Sequence, residues 1–500
     1  MKELKTIALA TLLLLSTEVS GAKEPVKTAV VKGGVVQKTN LKNSIVKIFT
    51  VSNEADNAEP WSSHVNQFTG SGCIINGNRI LTNAHVVTNA TYVEVLKNGE
   101  NKRYEATVLY IDHEADLAVI TLKDESFFKD TKSLELGELP ELQKEVSVYG
   151  FPMGGDTLSI TKGVVSRVEQ QRYANSGRSL LAIQIDAAIN YGNSGGPAIS
   201  DGKMVGLVMQ GASYGENMGY IIPPSVIKHF FKDIQDEKYN GYADLGMTTQ
   251  SLESPVLKEM YGLKDKCYGI LVNETIPNSP SSAVFKTGDI LIAVEGHEIY
   301  SNGKIELREK EFVAFEYIVH QHQMGESVEF TILRDKKEKK VSMKLDKKHN
   351  AFSLIKKRQP ESVLSYFIYG GLVFVPVTNN YYYGVPSKFY DLYPNEEREE
   401  LVMMQRILSS SLTQGLGRQR STVIETVNGK KFKNFKSFVK LLEESQEEFI
   451  LLEDSEHQQM ALNRKEVLKN QKIILERYNI AHAKSKDLRE AKTMIKLAKK

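Results

Sequence analysis

Short apolar runs separated by Gly, Asn and Asp dominate the chain from Ser44 to about Ile234. Runs at this spacing, with little helical periodicity, predict many short β-strands, as in an all-β sandwich or a pair of barrels. The clearest strand predictions are Ser44–Val51, Gly72–Ile75, Tyr92–Leu96, Asp116–Leu122, Val146–Tyr149, Leu181–Ile185 and Met204–Met209. Pro223-Pro224 precedes a predicted helix, Ser225–Ile234, because proline suits the first helical position, where its missing N–H would be unpaired anyway. We therefore predict one mainly β domain at 41–235.

Two smaller units with mixed α and β patterns follow. A polar joint, 236–242, leads to a unit at 243–347, and a charged stretch separates it from a unit at 361–464. In the last unit Phe435, Phe438, Val439 and Leu442 recur at helical spacing after Asn434, a suitable N-cap. Residues 465–500 are predicted to be a solvated basic tail, because twelve Lys and Arg face four Asp and Glu between Asn463 and Lys500.

The N-terminus has the pattern of a secretory signal peptide. Lys2 and Lys5 precede an apolar run, Ile7–Leu15, and the small residues Ser20-Gly21-Ala22 follow. The run is short for a permanent anchor. We expect a signal peptide at 1–22, cleaved near Ala22, a flexible leader at 23–40, and a periplasmic or secreted protein; an uncleaved anchor is the alternative.

The composition argues against several classes of function. Lys plus Arg is 64 and Asp plus Glu is 62, so the chain lacks the basic footprint of a nucleic-acid-binding protein. Cys73 and Cys267 are its only cysteines and lie far apart, which predicts neither a disulfide nor a metal site. No phosphate-binding P-loop pattern occurs, so we expect no nucleotide and no other cofactor.

The segment Asn190-Tyr191-Gly192-Asn193-Ser194-Gly195-Gly196-Pro197 is the strongest candidate for chemistry. A serine hydroxyl is a poor nucleophile and needs a base and a site for the developing oxyanion. Glycine at 192 can take backbone angles that aim its N–H inward. The amides of Gly192 and Ser194 are therefore the predicted oxyanion hole.

Two further segments supply partners for Ser194. His85 follows a strand that is apolar through Ile80 and Leu81, and Asp116 opens the apolar run that ends at Leu122. In a serine hydrolase the histidine takes the serine proton and the aspartate fixes the imidazole tautomer. The order His, Asp, Ser is that of chymotrypsin-type double barrels. Asp112 is an alternative acid, and we expect Asp186 to brace the loop before the serine.

The motifs resemble those of the HtrA/Deg family of PDZ-containing serine proteases. The matching segments, in family order, are Gly70–Ile75, Thr82–Val87, Asp116–Val119, Gly150–Pro152, Gly163–Ser166, Asp186–Asn190 and Gly192–Pro197. The resemblance implies a catalytic triad of His85, Asp116 and Ser194 in a chymotrypsin-like double β-barrel. It also implies that the two later units are PDZ-like α+β domains, in the layout of the plant-type Deg branch.

The resemblance extends to substrate binding. By analogy with chymotrypsin-like enzymes, Ala188 lies at the base of the primary specificity pocket, and Met209, Gln210 and Gly211 pair with an extended substrate. No carboxylate stands at 188, so we expect a small or medium aliphatic P1 residue, the residue before the scissile bond, rather than Lys or Arg.

The PDZ-like units carry their own binding predictions. In the first, Tyr268, Gly269, Ile270, Leu271 and Val272 resemble a carboxylate-binding loop and strand, so we expect peptide C-termini to bind there. In the second PDZ-like unit, Ser421-Thr422 stand where Gly-Asp is expected, and Pro376 interrupts a strand-like run. Peptide binding and a role in assembly both stay open for this degenerate domain.

We expect an ATP-independent serine endopeptidase that degrades unfolded or damaged exported proteins. The family likeness implies a homo-trimer or a multiple of trimers, with Trp61 as a candidate interface residue. The alternatives are a PDZ-containing chaperone or scaffold with an inactive protease fold, and a regulatory protease for one signalling substrate.

Overall fold

The computed structural model describes residues 41–490 except 154, 212–217, 264–266, 358–359, 391 and 417–420, and describes only the backbone at 210, 211 and 382–384. The signal peptide predicted at 1–22 and the leader predicted at 23–40 lie outside these residues. Within them, no helix is both long and apolar enough to cross a bilayer.

The first six strands close into a barrel. They are β1 (Ile45–Ala55), β2 (Ser63–Ile75), β3 (Arg79–Thr82), β4 (Ala90–Lys97), β5 (Arg103–Asp112) and β6 (Leu117–Leu122), with a short helix α1 (Ala84–Val87) after β3. Five of the six residues of β6 are buried because the strand faces both the barrel interior and the neighbouring domain. Closure pairs every strand on both sides and leaves no open sheet edge.

The second barrel repeats the first in plan. It consists of β7 (Glu145–Gly150), β8 (Ser159–Arg172), β9 (Ser179–Ile185), β10 (Pro197–Ser200), β11 (Lys203–Gly211) and β12 (Gly219–Ile222). Helix α2 (Pro224–Asp233) follows and packs Val226, Ile227 and Phe230 into the core. The predicted double-barrel fold and the helix after Pro223 are thus confirmed.

The PDZ-like domain 1 is built on a twisted antiparallel sheet in the order β13-β14-β15-β19-β20, with β16 paired to β15 and a separate hairpin of β17 and β18. The strands are β13 (Met247–Ser251), β14 (Ile270–Thr275), β15 (Ile290–Val294), β16 (His297–Glu298), β17 (Lys304–Arg308), β18 (Glu311–Ala314), β19 (Ser327–Arg334) and β20 (Lys337–Lys344). Two helices accompany them, α3 (Pro255–Tyr261) and α4 (Glu316–Val319). One continuous apolar core joins this domain to the second barrel, because residues such as Phe230 and Phe330 belong to the same buried cluster.

The PDZ-like domain 2 is a six-stranded sheet whose strands follow each other in sequence order. They are β21 (Phe367–Tyr369), β22 (Leu372–Pro376), β23 (Val402–Ile407), β24 (Thr422–Val427), β25 (Phe449–Asp454) and β26 (Gln459–Asn463), with α5 (Phe435–Glu444) and α6 (Arg464–Arg477). Helix α5 starts as predicted, with the Asn434 side chain accepting a hydrogen bond from the amide of Ser437.

The end of this domain differs from the prediction of a basic tail at 465–500. Helix α6 packs Val467 and Ile474 into the domain, and Ile480 is buried beyond it. The amide of Ile368 in β21 donates to the carbonyl of Ala483, so the chain after α6 adds to the sheet. Charge dominates the average composition of 465–500 and hid the few apolar residues that pack 465–490 against the domain, while 491–500 lie outside the described residues.

Candidate active site

The three candidate catalytic residues come from both barrels. His85 lies in α1, directly after β3, and Asp116 directly precedes β6. Ser194 lies in the loop between β9 and β10 of the second barrel. The two barrels therefore bring together residues that are 109 positions apart in sequence at most.

His85 and Asp116 are joined in the geometry that a base and its orienting acid need. Nδ1 of His85 lies 2.8 Å from Oδ2 and 3.0 Å from Oδ1 of Asp116, and the His85 amide donates to the same Oδ1 at 3.0 Å. Burial lowers the pKa of His85, but the charge and hydrogen bond of Asp116 outweigh it, so the pKa lies above its usual value. Asp116 is buried and has a left-handed φ of +55°, a costly conformation that often marks a functional site.

The peptide planes around Ser194 turn two amides towards the site. The Tyr191 carbonyl accepts from the Met153 amide at 2.7 Å, and the Asn193 carbonyl accepts from the Gly196 amide at 2.9 Å. Because C=O and N–H point in opposite directions across a trans peptide, the next amides, those of Gly192 and Ser194, face the other way. Neither amide donates to another residue that the structure describes. Both are available to an oxyanion.

Glycine is required at 192. Its φ is +95°, and a Cβ there would lie 2.4 Å from the Phe151 carbonyl oxygen. Ser71, which the sequence analysis had placed in a matching motif without a role, holds this turn. Its hydroxyl donates to the Gly192 carbonyl at 2.7 Å, and its amide donates to the Ser194 carbonyl at 2.8 Å.

No hydrogen bond joins Ser194 Oγ to His85 Nε2 within the described part of the chain. Such a bond is often long before substrate binds and tightens in the complex. A cavity of about 430 Å³ is lined by His85, Asp116 and Asn175 and by residues of the segment that joins the two PDZ-like domains.

The other acidic candidates lie elsewhere. Asp112 is fully buried and does not contact His85; its Oδ1 accepts from the Tyr239 hydroxyl at 2.5 Å and from the Ala115 amide at 2.9 Å. Burial raises the pKa of Asp112 to about 7. Asp186 accepts from the Val164 amide at 2.6 Å, which is a bracing contact before the serine loop.

The predicted substrate-binding residues lie at the end of β11 and in the loop between β9 and β10 that also carries Ser194. On one side of β11, Gln210 and Gly211 pair with Tyr220 and Gly219 of β12. On the other side, β10 pairs with β11 only as far as Leu207. This second edge of β11 therefore has no neighbouring strand at Met209–Gly211 in the described structure. Ala188 is exposed in the preceding loop. The next residue, Ile189, packs against the backbone of β12, because a Cβ built on Gly219 would lie 2.1 Å from Ile189 Cδ1.

The peptide-binding prediction for Tyr268–Val272 is wrong. Ile270 and Leu271 in β14 pair with β13 on one side and with β15 on the other, so no edge is left for an added peptide strand. The edge strands of this sheet are β13, which directly follows Leu245-Gly246, and β20 at the opposite side. In PDZ-like domain 2 the run before Pro376 is likewise internal, because β22 pairs with β21 and β23.

Several other residues singled out by sequence have structural partners. His113 forms an ion pair with Glu361, and Trp61 packs edge-on against Tyr366, with ring centroids 6.1 Å apart. Both contacts join the first barrel to the region of PDZ-like domain 2. Cys73 and Cys267 are both free thiols. The described residues contain no cluster of side chains that could hold a metal ion.

Comparison with known protein families assigns each part of the chain. Residues 70–207 match the family described as trypsin-like peptidase domain, and 243–345 and 355–487 match PDZ domain families. The chain is therefore a trypsin-like serine endopeptidase with two PDZ domains.

Relatives along most of the chain define the family. The putative protease Do-like 3, mitochondrial, of Arabidopsis thaliana is 37% identical over 450 residues, which cover 89% of this chain and 80% of the relative. Protease Do-like 2, chloroplastic, of the same plant is 33% identical, covering 91% and 77%. The chain belongs to the HtrA/Deg family of Do-like proteases and is similar to the plant members.

Solved structures give a weaker likeness. The HtrA-type protease AlgW with decapeptide is 21% identical, with a TM-score of 0.46, over 61% of this chain and 95% of that one. The serine endoprotease from Yersinia pestis is 20% identical with a TM-score of 0.42, over 61% and 94%.

The predicted location is wrong. Four of the plant relatives that match along most of the chain are named as mitochondrial or chloroplastic proteins, which conflicts with a periplasmic or secreted protein and with the signal peptide on which that prediction rested. A basic and apolar N-terminus does not by itself specify which membrane a protein crosses.

Proposed function

We propose that His85, Asp116 and Ser194 form the catalytic triad of an ATP-independent endopeptidase acting on unfolded or damaged polypeptides. The observation that carries the proposal is the joint orientation of the site. A carboxylate fixes Nδ1 of the histidine, and two unused amides flank the serine.

The reaction then follows the acyl-enzyme route. Nε2 of His85 takes the Ser194 proton as Oγ attacks the substrate carbonyl, and Asp116 stabilises the imidazolium. The Gly192 and Ser194 amides bind the oxyanion, which typically contributes a factor of about 10² to 10³ per donor. The histidine gives its proton to the leaving amine, and water releases the acyl group with the same base.

The substrate enters as an extended strand. The free edge at Met209–Gly211 supports pairing with an unfolded chain, which a folded protein could not offer. Ala188 and Ile189 provide an apolar pocket without a charge, which favours small or medium aliphatic P1 residues. Cleavage after Arg in preference to Val or Leu would contradict this part of the proposal.

The PDZ domains support substrate recruitment and assembly. We place peptide binding at the open edge of β13 in the first PDZ domain, and a homo-trimer or multiple of trimers stays the proposed assembly. Sedimentation velocity tests the assembly, and a monomer at micromolar concentration would contradict it.

Incubation of the full chain with unfolded casein, without ATP, tests the proposal. Casein fragments should appear with the parent and with Ser342→Ala, a control at an exposed serine on β20. They should be absent with Ser194→Ala. A different result would favour a chaperone with an inactive protease fold: the parent and Ser194→Ala suppress the aggregation of an unfolded substrate to the same extent, and neither cleaves it.

A further inference from the structure

A loop of the second barrel brings a third polar group to the catalytic histidine. The loop 173–178 connects β8 to β9, and the Asn175 amide lies 3.2 Å, measured from Nδ2, from Nδ1 of His85. The same Nδ1 faces both carboxylate oxygens of Asp116. Nothing in the sequence near Asn175 indicates this contact, because the two residues are 90 positions apart.

The proton at Nδ1 decides what the amide can do. An ionised carboxylate only accepts hydrogen bonds, so Asp116 holds a hydrogen on Nδ1. An NH₂ group cannot donate to a nitrogen that already carries that hydrogen. When the side-chain amide of Asn175 is flipped, so that its oxygen and nitrogen exchange places, the oxygen faces Nδ1–H and can accept a hydrogen bond from it.

We propose that Asn175 is a positioning residue for His85, its side-chain oxygen sharing the Nδ1 hydrogen with Asp116 and stabilising the imidazolium. The inference rests on the proposed triad. It gives the histidine a second acceptor, and the negative end of the amide dipole favours the charged form that appears when His85 takes the serine proton.

The loop is built to hold Asn175 in place. Tyr173 is fully buried and its hydroxyl donates to the Leu181 carbonyl at 2.6 Å. The Ser176 hydroxyl donates to the carbonyl of Glu114 at 2.9 Å, and Arg178 pairs with the carboxylate of Glu114 at 2.9 Å. Because Glu114 is two residues from Asp116, these contacts fix Asn175 and Asp116, the two residues that face Nδ1, to the same segment of the chain.

Several charged and titratable groups surround His85. Arg178 and Glu114 neutralise each other, and the charge of Asp116 is the one that raises the pKa of His85. The remaining charged or titratable groups that line the cavity beside it are Glu54, His113, Tyr239, Lys348, His349 and Lys357. Because these groups are the same in the parent and in the Asn175 variants, a difference in the pKa of His85 between them reports the change at Asn175.

The test is an NMR titration of His85 in the full chain with Ser194→Ala, which prevents self-digestion. Asn175→Ala should lower the pKa of His85 by about half a unit, since one acceptor is lost. Asn175→Asp should raise it by about one unit, since a second carboxylate faces the ring. Ser179→Ala, at an exposed serine at the start of β9, keeps the amide and the bonds that hold the loop, and should leave the pKa unchanged.

The activity of the same variants with Ser194 present gives a second readout. The acid limb of kcat/KM should shift with the same signs and KM should stay constant, so Asn175→Asp loses about tenfold well below the pKa. Shifts of one sign for both Asn175 variants, or an equal shift in Ser179→Ala, would overturn the proposal and leave a purely structural loop. If no chain cleaves casein but the pKa of His85 moves as stated, the proposed function fails, while the contact of the Asn175 oxygen with His85 Nδ1–H is supported.

Discussion

Asp112 offers a prediction about stability that separates it from the catalytic acid. It is fully buried, its Oδ2 has no hydrogen-bond partner in the described structure, and burial raises its pKa from 3.8 to about 7. Asp112→Asn keeps the oxygen that accepts from Tyr239 and Ala115 and removes the ionisation. The variant should therefore differ from the parent only where the carboxylate is charged.

The magnitude follows from the pKa. Between pH 3.8 and 7 the folded chain keeps the proton on Asp112 while the unfolded chain releases it, so the stability from this group is lost as pH rises through that window. A difference of about 3 units corresponds to about 4 kcal/mol at 1.36 kcal/mol per unit. The range from pH 5 to pH 8 covers about two units of this window, so the parent should lose about 2.7 kcal/mol relative to Asp112→Asn, nearly all of it below about pH 7.

Urea unfolding from pH 5 to pH 8 measures this difference. The assay uses the Ser194→Ala background and the fluorescence of Trp61, the only tryptophan. Tyr239→Phe is the matched variant: without the Tyr239 hydroxyl, which lowers the pKa of Asp112, the loss at high pH should grow. An equal decline in stability for the parent and Asp112→Asn would refute the reasoning.

Three further predictions concern catalysis and the fold. Asp116→Asn should lower kcat by about 10⁴ with KM little changed, because the histidine tautomer is no longer fixed. Gly192→Ala should abolish casein cleavage, since its Cβ would lie 2.4 Å from the Phe151 carbonyl oxygen. Phe438→Ala, at a fully buried ring 4.8 Å from that of Phe374, should destabilise the second PDZ domain by about 3 to 5 kcal/mol, measured by urea unfolding.

Each of these predictions has an outcome that would contradict it. A kcat of Asp116→Asn close to that of the parent would mean that another residue orients the histidine. Full activity of Gly192→Ala would mean that its amide does not bind the oxyanion. A Phe438→Ala variant as stable as the parent would show that helix α5 does not depend on its apolar face.

The acid limb of the pH profile is the fifth prediction. His85 must be neutral to take the serine proton, and Asp116 holds the pKa of His85 above its usual value. Activity should therefore rise with pH through a midpoint above about 6.5, the ordinary value for histidine. A midpoint clearly below that value, measured as kcat/KM on a short peptide, would contradict the pairing.

The double barrel was predictable because its strands leave local marks in the sequence. Each predicted strand from Ser44 to Met209 lies in or beside a strand of the structure, and Pro223-Pro224 marks the start of α2. The triad candidates were predictable because His85 and Asp116 lie next to strands and Ser194 lies in a glycine-rich turn, each with a distinctive neighbourhood. In both cases the information is local.

Pairing partners are not local, and there the predictions failed. The segment Tyr268–Val272 has the composition of a strand, but the sequence does not show that both of its edges are occupied. The docking of Ile480 and the approach of Asn175 to His85 likewise depend on contacts across the fold. The location failed for another reason, since targeting sequences are read by receptors rather than by the fold.

Active-site labelling tests the central claim most directly. The full chain is incubated with a fluorophosphonate, which reacts with a serine only when a base and an oxyanion hole activate it, and the modified peptide is identified by mass spectrometry. We predict a single adduct on Ser194, absent from Ser194→Ala and strongly reduced in His85→Ala. A folded chain that gives no adduct at Ser194, or the same labelling in His85→Ala, would contradict the triad.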